Sequence, residues 1–203
     1  MAHDLLGQGG MIEIALEKFP VRAMLNDGSP CSIRPMEKQD EIAFSEFHSV
    51  IPDREQLFIK NRIKDGSLFR EWISDSTYGE HLPLTAFVDG RLVATGSLHQ
   101  RMGGWKRHIG KVYFLTHPEH RGLGLIDVLL EEIIEVARHC GLTKLESEIN
   151  GERASAIESM AAVGFRELVR LPDYICDMRG LPHDYVLMGM DLVASFENLG
   201  AGD

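Results

Sequence analysis

The 203-residue chain has no apolar run approaching the ~20 residues that a membrane-crossing helix needs. Its first ten residues show neither the basic start nor the long apolar stretch of a signal peptide, so a cytoplasmic protein without membrane partners is expected. Cysteine is scarce. Cys31, Cys140 and Cys176 are an odd number, with no Cys-x-x-Cys and no Cys/His ligand spacing, so neither a disulfide framework nor a metal site is expected. Repeats, low-complexity tracts and long linkers are missing, and residues 1–203 read as one domain with an extension over residues 1–20. No Gly-x-Gly-x-x-Gly occurs, which removes the dinucleotide fingerprint. The net charge of −10 argues against nucleic acid as a partner, because such binders present a basic face. Acid is nonetheless missing from Gly90 to Pro118, where Arg91, Arg101, Lys106, Arg107 and Lys111 occur. That segment reads either as a solvated hairpin or as a landing site for a polyanionic cofactor.

What is present suits an α/β domain with a sizeable core: 44% of residues are hydrophobic and 26% charged. Val21 to Leu25 and Cys31 to Arg34, joined by Asn26-Asp-Gly-Ser29, predict a hairpin. Helical stretches follow over Lys38 to Val50, Arg54 to Lys64 and Leu68 to Ser74, broken at Pro52 and at Asp65-Gly66. A second hairpin, Leu84 to Val88 and Leu92 to His99, turns at Asp89-Gly90, and Ile109 to Thr116 is a further strand. Ile126, Leu129, Leu130, Ile133, Ala137 and Cys140 then fall on one helical stripe, with Gly141 as its C′ residue. Lys144 to Asn150 alternates as a strand and Arg153 to Val163 forms a second helix. Strands Arg166 to Leu171 and Asp184 to Leu192 flank a loop from Pro172 to His183. The β–α–β–α–β–β order after residue 109 implies a parallel centre closed by an antiparallel hairpin.

The segment from Val112 to Ile126 carries the chemistry. An apolar strand runs through a proline into Arg121-Gly-Leu-Gly124 and straight into a helix. Glycines let the backbone turn tightly and approach a ligand, and the open N–H groups and dipole at the helix start favour an anion such as a pyrophosphate. This turn matches the Arg/Gln-x-x-Gly-x-Gly/Ala motif of the GNAT superfamily of N-acetyltransferases. A second family motif, Asn-x-x-Ala-Ile-x-x-Tyr-x-x-x-Gly-Phe, aligns with Arg153 through Ala156, Ile157, Met160 and Gly164 to Phe165. Across residues 31–192 the chain resembles that superfamily.

The resemblance implies the acyl-CoA N-acyltransferase fold, a splayed, mostly antiparallel sheet that is parallel at its centre and flanked by helices. It implies acetyl-CoA as cofactor. The N–H groups of Arg121, Gly122, Leu123, Gly124, Leu125 and Ile126 would cradle the pyrophosphate, Leu115 and Thr116 would pair with the pantetheine arm, and Arg153 would place a cation nearby. Two departures bear on function. Ile126 stands where Gly or Ala is usual, turning either to the core or to the phosphates, and Met160 stands where a tyrosine often protonates the departing thiolate. A thioether donates no proton. Replacement acids are Tyr174, Tyr185 and Tyr113, or no side chain at all. Base candidates are Glu148, with Glu146 and Asn150 on the same strand face, and His117 or His99, which titrate near neutral pH. The expected reaction is acetyl transfer to a primary amine of a small molecule or to a protein lysine, with a homodimer compatible with the class. The alternative is a catalytically weak or inactive acetyl-CoA-binding regulatory module.

Overall fold

A computed structural model describes residues 12–56, 69–70, 73, 78 and 80–192. Its strands are β1 (Val21–Met24), β2 (Pro30–Pro35), β3 (His81–Val88), β4 (Arg91–His99), β5 (Ile109–Thr116), β6 (Lys144–Asn150), β7 (Arg166–Cys176) and β8 (Pro182–Asp191). The helices are α1 (Glu41–Ser49), α2 (Asp53–Gln56), α3 (Leu125–His139) and α4 (Ala154–Ala162). All eight strands form one sheet in the order β1-β2-β3-β4-β5-β6-β8-β7. Every pairing is antiparallel except β5 with β6, so the parallel centre is a single pair.

The two predicted hairpins form as expected. Asn26–Ser29 turns the first, with Gly28 at φ +85°, a left-handed conformation that costs glycine little. The first predicted helix shortens to a 3-10 turn at Lys38–Asp40 followed by α1. Of the expected helix from Arg54 to Lys64, only α2 lies within the described residues. Of Leu68 to Ser74, only Phe69, Arg70 and Ile73 do, all helical.

The loop expected from Pro172 to His183 is a correction. β7 runs on to Cys176 and β8 begins at Pro182. Pro172 reads as a breaker, but β7 is the edge strand, where a missing N–H breaks no ladder. Asp173, at φ +52°, sits in a register irregularity between Leu171 and Ile175 that absorbs the distortion as a bulge.

Two apolar clusters cover opposite faces of β4, since Val93 joins one and its neighbour Leu92 the other. The larger lies under α3, which buries Leu125, Leu129, Leu130, Ile133, Val136 and Ala137. Each large aliphatic side chain there contributes about 2 kcal/mol of transfer free energy. The buried stripe is rotated by about one residue from the predicted one, which leaves Ile126 and Cys140 half-buried at its margins. The smaller cluster packs Phe44 and Phe47 of α1 against Met36, Ile51, Phe69 and Leu92.

Candidate active site at the splay of the sheet

β5 and β6 pair over only three residues, Ile109 with Lys144, Gly110 with Leu145 and Lys111 with Glu146. Beyond that vertex, β5 continues to Thr116 against β4 alone and β6 continues to Asn150 against β8 alone. The vertex is tightly packed: a Cβ on Gly110 would meet Leu98, Leu142 and Leu145 at 2.7, 2.9 and 3.0 Å. The gap opens into a cleft of about 1730 Å³. The outward edge of β5 from Val112 to Thr116 therefore faces the gap with no strand beside it, the arrangement that accepts an added strand-like ligand. Leu115 and Thr116 line this edge.

At the far end of β5 the chain makes a 3-10 turn, Pro118–His120, and enters α3 through Gly122 and Gly124, at φ +78° and +83°. Space around the Gly122 Cα is open, whereas a Cβ on Gly124 would meet the Asn26 side chain at 3.1 Å. Asn26 also donates its backbone N–H to the Leu123 carbonyl at 3.0 Å, so the first hairpin braces the turn. No side chain caps α3. Its first-turn N–H groups, which lack intrahelical acceptors, lie at the cleft for an anion to fill. Leu125 is buried in the core, and Leu123 and Ile126 pack partly against it. Ile126 also lines the cleft.

Arg121 and Arg153 converge here on one carboxylate. Arg121 Nη2 donates to Glu55 Oε1 at 2.9 Å, and Arg153 Nη2 donates to Glu55 Oε2 at 2.8 Å. In the basic segment from Gly90 to Pro118, Arg91 contacts His117 and Glu119, Lys106 pairs with Glu146 and Lys111 with Glu148, so three of its five cations meet acids from elsewhere, while Arg101, Lys106 and Lys111 line the cleft.

Near the vertex, strand periodicity gathers polar side chains on one face. Lys111 and Tyr113 lie two apart on β5, Glu146 and Glu148 two apart on β6, and Tyr185 sits on β8 opposite Asn150. They meet at Glu148. Lys111 Nζ donates to its Oε1 at 2.6 Å, Tyr185 OH to the same oxygen at 3.3 Å, and Tyr113 OH to Oε2 at 3.3 Å. Burial, then the negative charge of Glu148, push the Tyr185 hydroxyl well above the ordinary tyrosine value, so it keeps its proton at neutral pH. His99 stands beside them, its ring edge-on to Tyr113 and stacked on His81.

The other two catalytic candidates sit elsewhere. Tyr174 is 66% exposed on the edge strand, its ring centroid 5.7 Å from that of Tyr185. His117 is 2% exposed and does not line the cleft. Arg91 Nη2 lies 2.8 Å from its Nε2 and the Glu119 N–H 3.2 Å from its Nδ1, so it caps the 3-10 turn. Burial, then Arg91, push its pKa below the usual histidine value, so its ring is neutral near pH 7, but it is walled off from the cleft. Met160 is 4% exposed, in the core beneath the cleft. Glu55 and Asn26 were not singled out by sequence reasoning. Both come from segments distant along the chain, and no local pattern marks them.

Residues 43–165 match a sequence profile described as the acetyltransferase (GNAT) family. The chain belongs to that family. The crystal structure of the GNAT domain of S. lividans PAT superposes with a TM-score of 0.69 at 21% identity, covering 85% of this chain and 96% of that one. A putative acetyltransferase from Salmonella typhimurium, solved with its cofactor acetyl-CoA, gives a TM-score of 0.63 at 20% identity, covering 85% and 98%. These two show the shared GNAT fold. The L-methionine sulfoximine/L-methionine sulfone acetyltransferase of Salmonella typhimurium (strain LT2) is 31% identical over 85 residues. That match spans 39% of this chain and 48% of the relative, about half its length. Among the described residues, no cluster of His, Cys, Asp or Glu could hold a metal ion, and no helix is long and apolar enough to cross a membrane.

Proposed function

We propose that this GNAT chain transfers an acetyl group from acetyl-CoA to a primary amine, on a small molecule or a protein lysine, by direct attack. The observation that carries this is the splay itself. The β5 edge from which β6 diverges leads from two left-handed glycines at a helix start to a carboxylate held by a lysine and two tyrosines.

The residues suit the cofactor. A Cβ at Gly124 would press on Asn26, the Gly122 surface is open, and two guanidiniums stand beside the turn. The N–H groups from Arg121 to Ile126, with Arg153, would hold the diphosphate, and the β5 edge at Leu115 and Thr116 would hold the pantetheine amides. When bound, acetyl-CoA supplies an activated acyl group, its thioester.

The chain's own work lies near the vertex. An amine arrives as its ammonium and must shed a proton before it can attack; Glu148 is the acceptor facing the gap. Lys111 and the two tyrosines fix the rotamer of that carboxylate. Tyr185, held protonated, would turn its single O–H from Glu148 toward the position where negative charge gathers on the departing sulfur. Glu146, Glu148 and Asp177 line the cleft, each with a cationic partner, so the lining offers carboxylate hydrogen-bond acceptors for an amine and no net negative field. The curated relative's acceptors are amino-acid analogues, and an amino acid is one of the acceptors this reading admits.

The test has two arms. Acetyl-CoA should raise the melting temperature, because a ligand that binds only the folded state stabilises it. A panel of amines, amino acids and lysine peptides should then release thiol. No shift with millimolar acetyl-CoA rejects the cofactor reading. A shift without thiol release favours the regulatory module, which the buried Met160 in place of a proton donor supports.

A further inference from the structure

Glu55 is 7% exposed, yet both of its oxygens are engaged by arginines that line the proposed phosphate end of the cleft, from residues 121 and 153. Its position is built, not incidental. The Pro52 carbonyl accepts from the Glu55 and Gln56 N–H groups at 2.8 and 3.1 Å, and the Gln56 side chain donates to the Ile51 carbonyl at 2.7 Å, tying α2 to the end of α1. A carboxylate and a phosphate oxygen are held by the same planar guanidinium donors, so each can take the other's place. Removing this carboxylate would leave two positive charges beside a glycine turn already open to an anion.

We propose that Glu55 is an internal stand-in for a cofactor phosphate: it engages Arg121 and Arg153 in the cofactor-free protein and sets how tightly a phosphorylated cofactor binds. The inference rests on the reading of the glycine turn as a phosphate site. Binding of the diphosphate draws on the arginines that Glu55 holds, and Glu55 repels the incoming charge. Substrate and product forms of CoA are weakened alike, which favours release of free CoA after turnover.

Calorimetric titration of CoA and of acetyl-pantetheine, which carries no phosphate, into wild type and Glu55→Gln tests this. The amide keeps the shape and removes the charge. CoA should bind about fivefold more tightly to the variant, the effect of removing one partly screened charge pair, and with a steeper loss of affinity on adding salt. Acetyl-pantetheine affinity should not change. Unchanged or weakened CoA binding, or equal tightening of both ligands, overturns the proposal. Should Glu55→Gln not fold, Glu55→Asp, whose shorter stem draws the charge back from the arginines, should also tighten CoA; weaker binding there overturns it equally. Arg121→Ala and Arg153→Ala separate the two levels of the argument. If neither loses CoA affinity, the arginines do not hold phosphate and the stand-in proposal falls, whereas the glycine turn, whose contacts are backbone N–H groups, is tested separately by Gly124→Asp.

Discussion

The two ends of the cleft are made of different material. At the α3 end the proposed contacts are backbone N–H groups presented by Gly122 and Gly124, within a segment of six residues, with arginines added around them. At the vertex the groups are side chains only. Lys111 and Tyr113 reach a glutamate 37 and 35 residues away, and Tyr185 approaches from 37 residues on the other side. A backbone site tolerates drift in its side chains but not in its φ angles. A side-chain site has the opposite sensitivity.

Gly124→Asp attacks the backbone end and should have the largest effect. It places a non-glycine residue at φ +83°, drives a Cβ into Asn26 at 3.1 Å and adds negative charge where phosphates are to sit. CoA affinity should fall by more than about a hundredfold, given strain of about 1–2 kcal/mol before repulsion is counted. Titration calorimetry reads the loss, and retained affinity would show that the end of α3 holds something else.

Glu148→Gln attacks the other end and should separate the two. Turnover should drop about a hundredfold, the scale of a lost general base, while CoA affinity stays within a factor of about two. A parallel loss of CoA binding would mean that the two ends are not independent. An unchanged rate would remove Glu148 from the chemistry.

This division also explains what was legible in the sequence. The glycine turn, the strand before it and the helix after it were readable because backbone sites are contiguous and demand particular residue types. Tyr185 and Glu148 were readable only as candidates, since nothing local says that the pairing of β6 with β8 brings them to 3.3 Å. His117 looked equivalent to them on paper; only packing shows it buried under Arg91 and away from the gap. Glu55 sits in no local pattern, and only the fold brings its carboxylate to Arg121 and Arg153. Pro172 misled in the other direction, because a proline's meaning depends on whether its strand is central or at the edge, which is a property of the whole sheet.

Neither end can be assayed across pH without knowing what the scaffold does. His48 is 3% exposed between Phe44 and Phe47, and burial pushes its pKa down to about 4. The folded state therefore binds this proton less readily than the unfolded chain, whose histidine titrates near 6.5. The stability that depends on a neutral His48 is complete above that value and declines as pH falls toward 4, by up to about 3 kcal/mol. Urea melts at pH 7 and pH 5 should show a smaller drop for His48→Leu than for wild type. Equal drops would place the acid sensitivity in other groups. Rate profiles for the vertex are interpretable only above the pH at which this loss begins.

The finest comparison is between two tyrosines on adjoining strands. Tyr185 OH reaches Glu148, whereas Tyr174 is largely solvent-exposed. Because burial and the neighbouring carboxylate raise the Tyr185 pKa, handing its proton outright to a thiolate, whose conjugate thiol has a pKa of about 8.5, runs uphill. In the proposed reaction Tyr185 would therefore act through a hydrogen bond that strengthens as charge builds on sulfur, a contribution of about tenfold and not the larger factor of full acid catalysis. Tyr185→Phe should lower turnover by about that amount, with KM for the amine changing less, and Tyr174→Phe should stay within about twofold of wild type. If Tyr174→Phe is the more damaging, the edge strand and not β8 supplies the donor. Full activity in both variants would leave the thiolate to depart without help from either tyrosine, which its modest basicity permits.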